Sequence, residues 1–104
     1  LLIYYIIVGD QMTTPDYEEI ARQIGAVVRL KQAAYGDSFN KSCEVLKVLY
    51  PDGVSPDNFK DFLAVTRIID KLFRIATDRD ALGESPFQDI AGYSILGVAH
   101  SKEE

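Results

Sequence analysis

Residues 83–100, GESPFQDIAGYSILGVAH, decide how the chain is read. Ser85 followed by Pro86 is a helix start, because a serine hydroxyl can accept from the free N–H groups of a first turn and proline's fixed φ suits the first helical position. Between Pro86 and Ala99 the only acid or base is Asp89. A helix that is apolar or small nearly all round is expected to be buried. Asp89 is therefore expected inside the protein, one turn before Tyr93, where a carboxylate must be paired, hydrogen-bonded or bound to a metal. Its place in the first turn also allows a purely structural reading, since the helix dipole favours negative charge there.

Working outward, Ser55 and Pro56 repeat the Ser-Pro start and launch the longest expected helix, to about Thr77. At 100° per residue, Phe59, Phe62, Val65, Ile68, Ile69, Leu72, Phe73, Ile75 and Ala76 cover more than half of its circumference, so it is expected to meet neighbours on two sides. The remaining stripe carries Lys60, Arg67, Asp70, Lys71, Arg74 and Asp78, while Asp61 projects within the apolar arc and reads as an exposed, dipole-stabilised carboxylate. Upstream, Thr14 and Pro15 are expected to open the first helix, with Asp16, Glu18 and Glu19 in its first turns. Tyr17, Ile20, Ala21, Ile24, Val27 and Val28 then recur at helical spacing, to about Ala34. Tyr35, Gly36, Asp37 and Ser38 break the pattern, and Asp37 or Ser38 can cap a helix from about Phe39 to Leu49. YPDGVSP, residues 50–56, is a loop. Four helices with short polar connections read as an all-α four-helix bundle whose core is completed by dimerisation.

The first eight residues, LLIYYIIV, are apolar without a basic flank, too short to span a bilayer and without a signal peptide's charged start. They would permit a strand, but nothing obvious pairs with it. The chain opens on Leu1 rather than Met, and Met12 is followed at once by a helix start, so residues 1–11 read as an appendage added by translation upstream of the true start. The expected organisation is an N-terminal appendage over 1–13, a single helical domain over 14–100 and a tail over 101–104. A net charge of −5 argues against a general nucleic-acid surface, and nothing points to a membrane. The composition fits a soluble protein, expected in the cytoplasm. Cys43 cannot form an internal disulfide and is expected as a small buried group on a helix, while His100 reads as a solvent-side helix-end residue.

Two groups of residues could carry chemistry. Lys31 and Tyr35 are i, i+4 neighbours just before Asp37 and Ser38. Arg67, Asp70, Lys71 and Arg74 stand at i, i+3, i+4 and i+7 on one helix face, an arrangement that is usually a solvated stripe but also suits phosphate oxygens.

Three runs, KQAAYGDSF from Lys31, RIIDKLFRIA from Arg67 and GESPFQDIAGYSIL from Gly83, make the chain resemble small phage and bacterial proteins of the nucleotide-modification-associated, MazG-like kind. The resemblance runs from about Tyr17 to Leu96. It implies an all-α nucleoside triphosphate pyrophosphatase fold, in which carboxylates hold Mg²⁺ against the triphosphate of a free or modified nucleotide. On that resemblance Lys31, Arg67, Lys71 and Arg74 would face phosphate, Asp70, Glu84 and Asp89 would hold the metal or position water, and Tyr35 and Tyr93 would shape the pocket, with Asp37 and Ser38 on the same binding side. The chain departs from the better-known MazG pattern: Glu18-Glu19 lacks the third acid, and Pro86 stands three residues before Asp89, where an acid is expected.

Two readings follow. A Mg²⁺-dependent pyrophosphohydrolase requires Asp89, Glu84 and either Asp70 or Asp61 to converge. A non-enzymatic helical dimer, binding a nucleotide or a protein partner, requires Asp89 and Glu84 to be consumed by Arg or Lys pairs and helix caps. A host-directed phage accessory protein has the same sequence signature as the second.

Overall fold

A computed structural model describes residues 5–8 and 11–101, with side chains from residue 14 onward. The expectations for residues 1–4 and the tail over 102–104 lie outside the described residues. Four helices make up the chain beyond a short hairpin: α1 (Tyr17–Tyr35), α2 (Ser38–Leu49), α3 (Phe59–Asp78) and α4 (Pro86–Ser101). Compact contacts divide the chain into a first unit ending at Lys31 and a second beginning at Gln32, so the division falls inside α1 rather than after residue 13.

In the first unit the β-rich run does find a partner. Strand β1 (Tyr5–Val8) pairs antiparallel with β2 (Gln11–Pro15), with Ile6 opposite Thr14 and Ile7 opposite Met12. Thr13 is thus the extra residue of a bulge. Thr14 and Pro15 end a strand instead of opening a helix, a place proline tolerates because it need not donate there. The helix start falls to Asp16: its Oδ1 accepts from the Glu19 N–H at 3.0 Å, and its carbonyl accepts from the Ile20 N–H at 3.1 Å. Glu19 in turn holds Arg22, whose Nε donates to its Oε2 at 2.8 Å.

In the second unit, α1 ends in a tight reversal at Gly36 and Asp37, both with positive φ, 59° and 61°. Gly36 has a steric reason to be glycine. A Cβ there would lie 2.2 Å from Oγ1 of Thr77, near the end of α3. Asp37 precedes α2 but its side chain caps no N–H. Its Oδ1 instead accepts from Asn40 Nδ2 at 2.8 Å and from Gln32 Nε2, tying the end of α1 to the start of α2.

Ser55 and Pro56 start a 3₁₀ turn over Pro56–Asn58, which leads into α3. Helix α3 packs on α2 and α4, as its wide apolar arc requires, with Ile69 buried and Phe62 edge-on to Tyr50 at 5.4 Å between ring centroids. Asp61 is exposed. The Ser85 start of α4 forms as read, its Oγ accepting from the Gln88 N–H at 3.2 Å ahead of Pro86.

Two expectations of burial fail. Helix α4 is not enclosed: Phe87, Ile95, Leu96 and Val98 are all exposed, Ile95 by 68%. Its apolar composition calls for a cover that this face lacks among the described residues of the second unit. Cys43 lies on α2 as expected but is exposed.

Candidate functional site

Six of the residues singled out in the sequence meet along the seam between α3 and α4. Arg67, Lys71 and Arg74 rise one turn after another on α3, and their partners Tyr93, Asp89 and Glu84 follow in the reverse order on and before α4. That order is what two antiparallel helices with matching faces produce.

At the first rung the Arg67 guanidinium lies over the Tyr93 ring, 5.7 Å from its centroid, within cation–π range. At the second, Lys71 Nζ stands 3.3 Å from Asp89 Oδ2 and donates to the Tyr35 hydroxyl at 3.2 Å. It also lies 5.5 Å from the Tyr35 ring centroid, so the end of α1 is tied to the same lysine. Burial works to lower the Lys71 pKa, but the hydrogen bonds and charge of Tyr35 and Asp89 outweigh it and hold the ammonium above its ordinary value. Asp89 is half-buried, with 38% of its side chain exposed, and lies at the mouth of the seam rather than in a sealed interior.

The third rung is built differently. Arg74 is completely buried. Its Nη2 donates to the carbonyls of Ala81 and Glu84 and, at 3.4 Å, to that of Arg79, while Nη1 reaches Glu84 Oε2 at 3.5 Å. These carbonyls belong to the 79–84 turn, which contains two successive positive φ angles, 63° at Leu82 and 65° at Gly83. Such a turn leaves carbonyls without helical partners, and a five-donor guanidinium satisfies several at once. Arg74 therefore pins the α3–α4 connection. The expectation that it faces phosphate is corrected, because its guanidinium presents no edge to solvent.

The other candidates are placed as follows. Glu84 carries an exposed carboxylate whose inner oxygen faces Arg74. Asp70 is half-buried on α3 between Arg67 and Lys71. Ser38 is buried at the start of α2, and Asp37 is engaged by Gln32 and Asn40. Lys31 is exposed and belongs to the first unit. Among the described residues no group of three His, Cys, Asp or Glu side chains that could hold an ion is present. Asp89 gives one oxygen to Lys71 and Glu84 one to Arg74.

Sequence reasoning missed the groove that continues the seam toward the C-terminal end of α4. It has a volume of about 310 Å³, with Leu63, Ala64, Leu96 and Gly97 on the apolar side and Lys60, Arg67 and His100 among its polar lining. The signal was present as two sets at i, i+3, i+4, i+7: 60, 63, 64 and 67 on α3, and 93, 96, 97 and 100 on α4. Neither set reads as a site until the antiparallel crossing brings them together.

Compared with family models, with curated proteins and with solved structures, the chain matches none. Among the described residues no helix is long and apolar enough to cross a membrane.

Proposed function

We propose that this chain is a non-enzymatic helical association module that works as a homodimer. The observation that carries this reading is the outer face of α4. Ser94, Ile95, Val98 and Ala99 form a shallow apolar concavity at the surface, on a helix with no charged side chain between Asp89 and His100. An exposed apolar surface of this kind marks an interaction site. The α3–α4 seam fits the reading, because Asp89 on α4 and Glu84 just before it each meet an α3 cation.

Sedimentation equilibrium of the full chain tests the proposal. The expected result is a concentration-dependent dimer for the wild type and a folded monomer for Ile95→Glu. A wild type that stays monomeric across the range would overturn it.

The competing reading, a Mg²⁺-dependent nucleoside triphosphate pyrophosphohydrolase, rests on the resemblance of the three sequence runs. It requires a second oxygen of Asp89 and of Glu84, each of which gives one oxygen to its α3 cation, to be brought to the same ion when metal and nucleotide arrive.

A further inference from the structure

The α3–α4 groove is a second site, separate from the outer face of α4. Helical geometry makes the separation: Tyr93, Leu96, Gly97 and His100 line the groove, whereas Ile95 and Val98 belong to the outer concavity. We infer that the groove binds a small amphiphilic monoanion, a flat aromatic or short acyl carboxylate.

Three features define that chemistry. Leu63, Ala64, Leu96 and Gly97 give an apolar bed, and the volume, about 310 Å³, is at the low end of small-molecule sites. Arg67 lies over the Tyr93 ring, 5.7 Å from its centroid, at the groove, and a guanidinium can meet a planar carboxylate with two parallel hydrogen bonds. The charge balance sets the valence of the ligand. Among the described lining residues Lys60 and Arg67 contribute two positive charges and Asp61 one negative charge, with the imidazole of His100 beside them, so an anion of low charge is accommodated while a polyphosphate meets Asp61 as well.

Gly97 provides the means of testing this without unfolding the chain. It sits inside α4, and a Cβ placed on it meets nothing within 4 Å. A side chain at this position starts in open space and extends from the groove wall, and replacing glycine inside a helix favours the helix.

The test is a titration of the ¹⁵N-labelled full chain with 2-naphthoate, 2-naphthamide and 2-naphthyl phosphate, read by amide chemical shifts. Naphthoate is expected to give saturable shifts centred on Leu63, Leu96 and Gly97, with the uncharged amide at least tenfold weaker and the phosphate no tighter. Arg67→Gln is expected to weaken naphthoate at least tenfold with an unchanged spectrum elsewhere. Gly97→Leu is expected to abolish the saturable shifts without lowering the melting temperature. Absence of saturation, equal binding of the amide, tighter binding of the phosphate, shifts centred on Ile95 and Val98, or unchanged binding by Gly97→Leu would each overturn the inference.

Discussion

Lys71 Nζ on α3 lies 3.3 Å from Asp89 Oδ2 on α4, and the same ammonium donates to the Tyr35 hydroxyl at the end of α1. One cation thus ties together three segments of the second unit. Lys71 is largely enclosed, 14% exposed, whereas Asp89 is nearer to solvent, so the pair lies between the surface and buried regimes. Removing the acid alone strands a mostly enclosed charge. Asp89→Asn is expected to cost about 1–2 kcal/mol, a charged hydrogen bond partly screened by water. Lys71→Met is expected to cost less, since it replaces the ammonium by an apolar chain of similar length. The double variant should recover part of the Asp89→Asn loss in urea unfolding; strict additivity would show that the two groups are not coupled.

The pH dependence follows from the same lysine. Its pKa in the folded chain is raised above the unfolded value, so its contribution is complete below the ordinary lysine pKa, about 10.4, and is lost as pH rises through the folded value. Stability measured by urea unfolding should therefore fall between pH 10 and 12, and Lys71→Met should flatten that fall relative to wild type. An identical slope in the variant would contradict the assignment. Glu19 acts in the opposite direction: the hydrogen bond from Arg22 holds its carboxyl below the usual range, so its contribution is present above that range and lost on acidification.

Arg74 should be the most sensitive position of the second unit. Arg74→Met removes the donors that satisfy the carbonyls of Ala81 and Glu84 and leaves them without a partner. A loss of about 2–4 kcal/mol is expected, since each buried acceptor left without a partner costs about 1–3 kcal/mol. Limited proteolysis should then cut first within residues 79–84. A loss under about 1 kcal/mol, within the range of ordinary surface substitutions, would show that the turn holds itself.

Gly36 tests the reversal between α1 and α2. Gly36→Ala places a methyl group against Thr77 Oγ1 and asks a non-glycine residue to hold a φ of 59°. The left-handed conformation alone costs about 1 kcal/mol, and the collision adds to it. Thr77→Ala in the Gly36→Ala background should recover the steric part and leave the conformational part. No recovery by thermal unfolding would mean that the backbone conformation carries the whole effect.

Some of this was legible from the residues and some was not, for reasons that differ by element. The Ser85-Pro86 start of α4 was legible because capping is a local matter of one hydroxyl and one turn. The first helix start was misplaced by two residues, since Thr14-Pro15 and Asp16 are adjacent candidates and only the competing pairing of β2 with β1 decides between them. The hairpin itself was hidden because QMTTP lacks a strong alternating pattern. Asp89 was correctly read as needing a partner, but its burial was overstated: α4 is apolar enough for a core, yet much of its surface is uncovered within this chain. The candidate cations were found as a stripe. Which acid each would meet depends on the register of two helices far apart in sequence, which no local spacing encodes.

Under the proposed function, Asp89 and Glu84 serve the α3 cations Lys71 and Arg74 rather than a metal. The most direct test is a thermal-shift screen of the full chain against dNTPs and NTPs, with and without Mg²⁺, with pyrophosphate release followed in the same wells, because a ligand of the native state raises the melting temperature by mass action. No magnesium-dependent shift and no release of pyrophosphate are expected. A magnesium-dependent shift accompanied by release, both lost in Asp89→Asn while that variant stays folded, would contradict it and establish the hydrolase.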